Sequence, residues 1–276
     1  MMKIAVIGIV GNSVFLPVKN FHVGGETVEA TSVRFELGGK GFNQAVACAR
    51  YGANVSFLGA IGKDFYSQVK DFLENEKIKP CLAEKDGNSA FAAIITDESG
   101  SNRVTVYQGV SLCEQDVENF EQEIATSSVL LINNEVEEKV NVKAIEIAKK
   151  YGVKVILNPA PARQSCPFIL DNVDIFTPNE FETLGLEDKD NVIVTLGKQG
   201  CLIKERNQIV PARDFGKVVD TTGAGDTFNG VFAVAMAEFN DLTKACELGN
   251  VAASLSVTRT GAVTAIPVKE EILSLL

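Results

Sequence analysis

Val129-Leu130-Leu131-Ile132, a helical stretch over 137–151, and then Val153-Lys154-Val155-Ile156-Leu157 form the segment whose reading decides the fold. Both apolar runs are the length of a buried strand, and the segment between them carries helical spacing. Strand, helix, strand in that order implies a parallel pair joined by a crossover helix. The pattern continues forward. Val173-Asp174-Ile175-Phe176-Thr177 and Asn191-Val192-Ile193-Val194-Thr195 read as strands, with a short helix starting near Asn179 between them. Cys201-Leu202-Ile203 and Gln208-Ile209-Val210 suggest a hairpin, and helices over about 224–238 and 241–255 close the core. Backward, residues 3–9 and Val55-Ser56-Phe57-Leu58-Gly59-Ala60-Ile61-Gly62 read as core strands. Two helices accompany them: one bears Ala45, Val46, Ala49 and Arg50 and ends at Gly52, and the other covers 64–75 with Phe65, Val69, Phe72 and Leu73 on one face.

The fold class that follows is α/β, a mostly parallel central sheet with helices on both faces. Residues 12–37 and 88–109 do not fit that sheet. They have the composition of exposed strands, 89–96 and 103–108 pairing around the turn Asp97-Glu98-Ser99-Gly100, and read as a small β-sheet lid. The whole chain, 1–276, reads as one domain with that lid. Ligands of such a sheet bind beyond the carboxyl ends of its strands.

A hydrophobic share of 46% allows a sizeable core, so disorder is excluded as the dominant state. The net charge of −10 argues against nucleic acid or an anionic membrane surface as the partner. No apolar run approaches the roughly 18 residues of a membrane span, and the start Met1-Met2-Lys3-Ile4-Ala5-Val6-Ile7-Gly8 lacks a signal peptide's cleavage site. A cytoplasmic protein is expected. The six cysteines include no CxxC pair and read as reduced core thiols. His22, the only histidine, lies in a Gly-rich loop, which leaves a Ser-His-Asp relay or a multi-histidine zinc site little to work with.

Chemistry concentrates where the strands end. Val219-Asp220-Thr221-Thr222-Gly223-Ala224-Gly225-Asp226 leads into the apolar helix of Phe228, Val231, Phe232 and Ala235. A glycine turn at a helix start aims backbone N–H groups outward and favours anions. There Asp226 either takes a proton from a nucleophile or merely supports the first helical turn. Gly38-Gly39-Lys40-Gly41-Phe42-Asn43-Gln44-Ala45 is a second glycine cluster: either a tight lid-to-helix connection or a ligand contact, with Asn43 suited to hydroxyls. Asn158-Pro159-Ala160-Pro161-Ala162-Arg163, Pro178-Asn179-Glu180-Phe181-Glu182 and Thr195-Leu196-Gly197-Lys198-Gln199-Gly200 leave three strands in series. Asn179 and Glu182, three apart on the expected helix, suit a hydrated Mg²⁺ with phosphates, or simple helix capping. The P-loop and dinucleotide GxGxxG patterns both fail: Arg34, Gly41, Val10 and Phe228 stand where they need other residues.

These motifs, in this order, resemble the ribokinase-like (PfkB-type) carbohydrate kinase family, as does Val257-Thr258-Arg259-x-Gly261-Ala262. The resemblance runs along nearly the whole chain. It implies ATP-dependent, Mg²⁺-assisted phosphorylation of a sugar hydroxyl, most simply ribose to ribose 5-phosphate; another sugar, a deoxysugar or a nucleoside is the alternative acceptor, and a non-catalytic binding protein the more distant one. It implies that Asp226 is the base and that Gly223, Ala224 and Gly225 form the anion hole. Gly39, Lys40, Asn43 and Glu135 would meet the sugar; Asn179, Thr195, Gly197, Gly200, Gly225 and Asn250 the nucleotide; and Glu182 the Mg²⁺ through water. It further implies a monovalent cation such as K⁺, held by Asp220 and the carbonyls of Thr222, Ser256, Arg259 and Gly261, and a homodimer through the lid. Three features depart from the family: Gly11 and Ser13 replace its sugar-binding Asn and Asp, Ala265 replaces a cation-site serine, and the segment between Glu182 and Thr195 is short.

Overall fold

The structure, a computed structural model, describes residues 2–98 and 101–276. Its centre is built from strands β1 (Lys3–Ile7), β4 (Asn54–Gly62), β5 (Ile78–Lys85), β8 (Val129–Asn133), β9 (Lys154–Asn158) and β10 (Ile175–Phe176). They form one sheet in the order β10-β9-β8-β1-β4-β5, with every pair parallel. Alternate side chains of a strand point to opposite faces, so a strand buried on both sides must be apolar throughout. Ile4 and Val6 of β1, with Val129 and Leu131 of β8, pack into the core on one face, and Ala5, Ile7, Leu130 and Ile132 into a second core on the other.

The first core is closed by α1 (Lys40–Arg50), α2 (Tyr66–Asn75), α7 (Ala224–Phe239) and α8 (Leu242–Ser256). The second lies under α3 (Glu114–Asn119), α4 (Glu121–Ala125), α5 (Glu138–Tyr151) and α6 (Pro167–Asn172). Helix α1 is buried at every position from Gly41 to Cys48, more than the one face its spacing predicts. A short helix, α9 (Lys269–Leu273), follows near the C-terminus.

The lid is a separate four-stranded sheet of β2 (Gly11–Pro17), β3 (Arg34–Gly38), β6 (Ala90–Thr96) and β7 (Asn102–Tyr107), ordered β3-β2-β6-β7. It matches the two expected segments. Ser99 and Gly100 of the expected turn, like Met1, lie outside the described residues. The hairpin expected after Gly200 is observed, joined to β11 (Ile193–Thr195) as a small antiparallel sheet of β11, β12 (Cys201–Ile203) and β13 (Gln208–Val210).

One expectation fails. No helix follows Asn179; the chain turns there, with Asn179 Oδ1 accepting the Phe181 N–H at 2.8 Å and Glu182 Oε2 accepting the Asn179 N–H at 3.0 Å. Side-chain bonds of this kind offer the backbone an alternative to helix, and Gly185 at φ 79° adds another turn. Among the described residues no helix is long and apolar enough to cross a membrane. All six cysteines are free thiols.

Candidate active site

Strands β1, β8, β9 and β10 are parallel, so their carboxyl ends lie together, and Gly8, Asn133, Asn158 and Thr177 stand at or just beyond those ends. Helix α7 starts there too. Gly223 caps it at φ 74°, a conformation glycine adopts without strain, and a side chain on Gly223 would press on Ala262 at 3.1 Å. The first amides of any helix lack acceptors within it. Beside them, a Cβ built on Gly225 would meet nothing within 4 Å, so the turn opens onto free space. That space is part of a cleft of about 790 Å³. Asn179, Thr195, Gly197, Gly200, Gly225 and Asn250, the residues expected to meet a nucleotide, all line it. Its apolar wall of Phe181, Phe215, Val218, Phe228 and Val257 was not anticipated: Phe215 and Val218 lie outside every motif, and the other three stand in motifs whose polar and glycine residues drew the reading. Asn250 braces this wall: its Nδ2 donates to the Val210 carbonyl at 2.8 Å.

A second cleft, of about 430 Å³, lies under the lid. Gly11, Ser13, Gly39, Lys40 and Glu135 line it. The side chains of Asn12 and Asn134, also in its lining, are 6% and 3% exposed, and Asn12 Oδ1 and both polar atoms of the Asn134 amide lack a protein partner. Unpaired polar atoms of this kind carry a desolvation cost that a hydroxylated ligand can relieve. Ala90, Ala92 and Val106 give the lid side of the cleft an apolar character. Gly11 is held close: a Cβ there would stand 2.2 Å from the Ala90 carbonyl oxygen.

Asp226 stands in the first turn of α7, next to Gly225 of the larger cleft; it is 7% exposed and lines neither cleft itself. Its Oδ2 accepts from Asn43 Nδ2 at 2.9 Å, and its Oδ1 from Gln44 Nε2 at 3.2 Å. Burial pushes its pKa upward and Glu182 adds to that, while Lys40, Asn43 and Gln44 oppose it. Gln44, which motif reading passed over, begins a closed circuit of side chains. It donates to Asn158 Oδ1; Asn158 donates to the Thr177 carbonyl; the Thr177 hydroxyl bonds Asn229 Oδ1; and Asn229 Nδ2 returns to the Gly225 carbonyl, one residue from the start.

Lys40 and Glu135 complete the acceptor side. Glu135 Oε2 accepts the Lys40 backbone N–H at 2.7 Å. Burial, then the nearby Asp226 charge, raises the Glu135 pKa to about 7. Burial works against the Lys40 charge, yet Asp226, Glu135 and Glu182 together hold its pKa above the ordinary value. Lys40 is thus the cation on which three acidic side chains, Asp226, Glu135 and Glu182, act. Among the described residues no group of three or more His, Cys, Asp or Glu could hold a metal alone. A single carboxylate such as Glu182 would suit Mg²⁺ held through its water shell, in keeping with that ion's preference for water and phosphate oxygens.

Of the expected monovalent-cation set, Thr222 and Gly261 meet Asp220, through their N–H groups, while the Ser256 carbonyl accepts the Arg259 N–H at 3.0 Å. Asp220 Oδ1 accepts the Thr222 N–H at 2.9 Å and its Oδ2 the Gly261 N–H at 3.0 Å. Despite partial burial, those bonds and the Arg34 charge lower its pKa. Ala265 is fully buried, and its side chain supplies no oxygen where a serine would, so the set has one K⁺ ligand fewer. His22 lines neither cleft.

The family model for pfkB carbohydrate kinases matches residues 1–269. The chain belongs to the pfkB family of carbohydrate kinases. Within that family it is ribokinase-like. It is 34% identical to the ribokinase of Haemophilus influenzae over 302 aligned positions, covering 99% of this chain and 98% of that one. It is 32% identical to the deoxyribokinase of Salmonella typhi, covering 90% of each. Among solved structures it resembles the Arabidopsis thaliana ribokinase complexed with ribose and ATP, with a TM-score of 0.86 and 25% identity, covering 100% of this chain and 99% of that one. Identities this similar to a ribokinase and a deoxyribokinase do not choose an acceptor. They do assign the chain to ATP-dependent sugar kinases.

Proposed function

We propose that the chain transfers the γ-phosphoryl group of ATP to a hydroxyl of a small sugar, with ribose as the leading acceptor and Asp226 as the general base. The observation that carries this reading is the Asp226 carboxylate in the first turn of α7, one residue from Gly225 of the larger cleft and under the charge of Lys40, which lines the lid-covered cleft. A hydroxyl is a poor nucleophile at neutral pH, so a carboxylate that takes its proton as the bond forms lowers the barrier. Asn43 and Gln44 hold that carboxylate in one orientation. Gly223, Ala224 and Gly225 carry the backbone N–H groups of the anion hole, the Ala224 amide shared with the Thr221 carbonyl at 3.3 Å, and Lys40 adds a positive charge. Bound Mg²⁺ would supply charge neutralisation on the phosphates, with Glu182 holding its water shell. The lid keeps water away from the acceptor hydroxyl, which limits hydrolysis of ATP.

The acceptor side supports a second reading. The carboxylate and amide that ribokinase-like members place on the first lid strand are Ser13 and Gly11 here, and the Ala90 carbonyl fills the space beside Gly11. With apolar Ala92 and Val106 opposite, this wall favours an acceptor with fewer hydroxyls, a deoxypentose, or a nucleoside presenting its base. An ADP-release assay with ribose, 2-deoxyribose and nucleosides decides between them. Turnover on none of these, alongside ligand-induced thermal shifts, would instead favour a non-catalytic binding protein. We further propose that the chain acts as a single domain and pairs through the lid, where Phe35 and Tyr107 are exposed.

A further inference from the structure

Glu36 is a carboxylate with no part in the chemistry above, yet it is 8% exposed and fully engaged. It sits on β3, in the lid. Its Oε1 accepts the Ala262 N–H at 3.1 Å, the Thr264 N–H at 3.3 Å and the Thr264 hydroxyl at 3.2 Å. Its Oε2 pairs with Arg34 Nη1 at 2.5 Å, and the Arg34 guanidinium stacks 3.9 Å from the centre of the Phe15 ring on β2. Burying a carboxylate is costly unless it is paired and hydrogen-bonded, and this one is both.

The loop that Glu36 grips is gripped from the other side as well. Asp220 Oδ2 holds the Gly261 N–H and its Oδ1 holds the Thr222 N–H, one residue before Gly223. Ala262 also supplies the surface against which Gly223 packs: any side chain on Gly223 would meet its Cα and Cβ. Two carboxylates therefore clamp one short loop, Glu36 from the lid and Asp220 from the anion-binding turn. Gly261, at φ 99° between them, has Thr264 Oγ1, Glu36 Oε1 and Arg34 Nη1 where a side chain would go.

We propose that Glu36 is a positioning residue that couples seating of the lid to assembly of the anion-binding turn at Gly223–Gly225. With the lid seated, Glu36 fixes the 261–264 loop, which in turn props Gly223. With the lid lifted, the loop loses these bonds and the turn loses its support. The turn is then fully formed only when the acceptor cleft is covered. This inference rests on the kinase reading for its catalytic consequence alone.

The test compares Glu36→Ala, Glu36→Gln and wild type as full chains. Hydrogen exchange is read first, without ligands. Coupling requires that Glu36→Ala speed exchange at Ala262 and Thr264 and also at Thr222 and Thr227, whose amides bond Asp220 and Gly223. Glu36→Gln, which keeps an oxygen toward the loop, should leave Thr222 and Thr227 close to wild type. Turnover is read second. A mispositioned phosphate hole lowers kcat by about tenfold or more, so Glu36→Ala should lose kcat rather than only raise the acceptor KM. Acceleration confined to Ala262 and Thr264, equal damage from both variants, or an unchanged kcat overturns the proposal. If wild type turns over no acceptor, the kinase reading fails, and the exchange pattern still decides the coupling.

Discussion

Replacing Asp226 by Asn separates chemistry from stability at the centre of the site. The change removes the charge and keeps the shape. Both neighbours, Asn43 Nδ2 and Gln44 Nε2, now donate to the carboxylate. An asparagine accepts from one and meets the other with its own NH₂. The remedy is already in place: Asn43 Oδ1 and Gln44 Oε1 are buried without partners, so flipping one amide restores a donor–acceptor pair. The substitution also removes a carboxylate whose pKa burial has raised. A raised carboxyl pKa means that the native state binds its proton more tightly than the unfolded chain does. The ionised group thus costs stability above the ordinary carboxylate range, and the cost vanishes as pH falls below it. Asp226→Asn should therefore match or exceed the wild-type Tm at neutral pH, and any gain should shrink toward pH 4. Loss of the base should cut kcat by about 10²–10⁴. A coupled ADP-release assay and a thermal melt across pH measure both. A kcat within about fivefold of wild type would remove Asp226 as the base. A Tm lowered by roughly 8 °C or more would make the carboxylate structural.

Four further outcomes follow from the same geometry. Glu135, with its pKa raised from 4.5 to about 7, makes the wild type lose stability as pH rises through that window, so the Tm advantage of Glu135→Gln should grow from pH 4.5 to 7 and then level off. Gly225→Ala places a methyl in open space and exchanges glycine for a better helix former, so Tm should hold or rise while kcat/KM for ATP falls by about tenfold or more. Gly11→Asn, which reinstates the family residue, collides with the Ala90 carbonyl, so it should lower Tm and activity on every acceptor rather than improve ribose use; a gain on ribose would refute the close contact. Replacing K⁺ by tetramethylammonium at constant ionic strength should change kcat by less than about twofold, since the Asp220 oxygens already accept backbone N–H groups and Ala265 adds none.

The central sheet was legible because strands buried on both faces must be apolar through their middle, as residues 4–7 of β1, 129–132 of β8 and 155–157 of β9 are. Strand β5 escaped because it lies at the sheet edge, where Ile78-Lys79-Pro80-Cys81 mixes exposed and buried positions. Helices α3, α4 and α6 are five or six residues long, too short for periodicity to register. The expected helix at Asn179 shows the converse error: a capping pattern of Asn179 and Glu182 was read as a start, and the two side chains close a turn instead. At the site, many residues named by glycine turns and strand exits line the two clefts, whereas Asn43, Glu182, Gly223 and Asp226 line neither. Gln44 and Glu36 were missed for a different reason. Their importance lies in partners more than a hundred residues away in sequence, Asn158 and Asp226 for one and Ala262 and Thr264 for the other, and no local pattern encodes such a pairing.

The side-chain circuit from Asp226 through Gln44, Asn158, Thr177 and Asn229 to Gly225 differs in kind from a linear relay. A relay cut anywhere is severed, whereas a ring cut once is still a continuous strand anchored at both ends. Single substitutions at Gln44 or Asn229 would thus under-report what the ring does for the carboxylate. Two simultaneous cuts should cost more than the sum of their separate effects, a redundancy that lets individual positions drift while the geometry at Asp226 is kept.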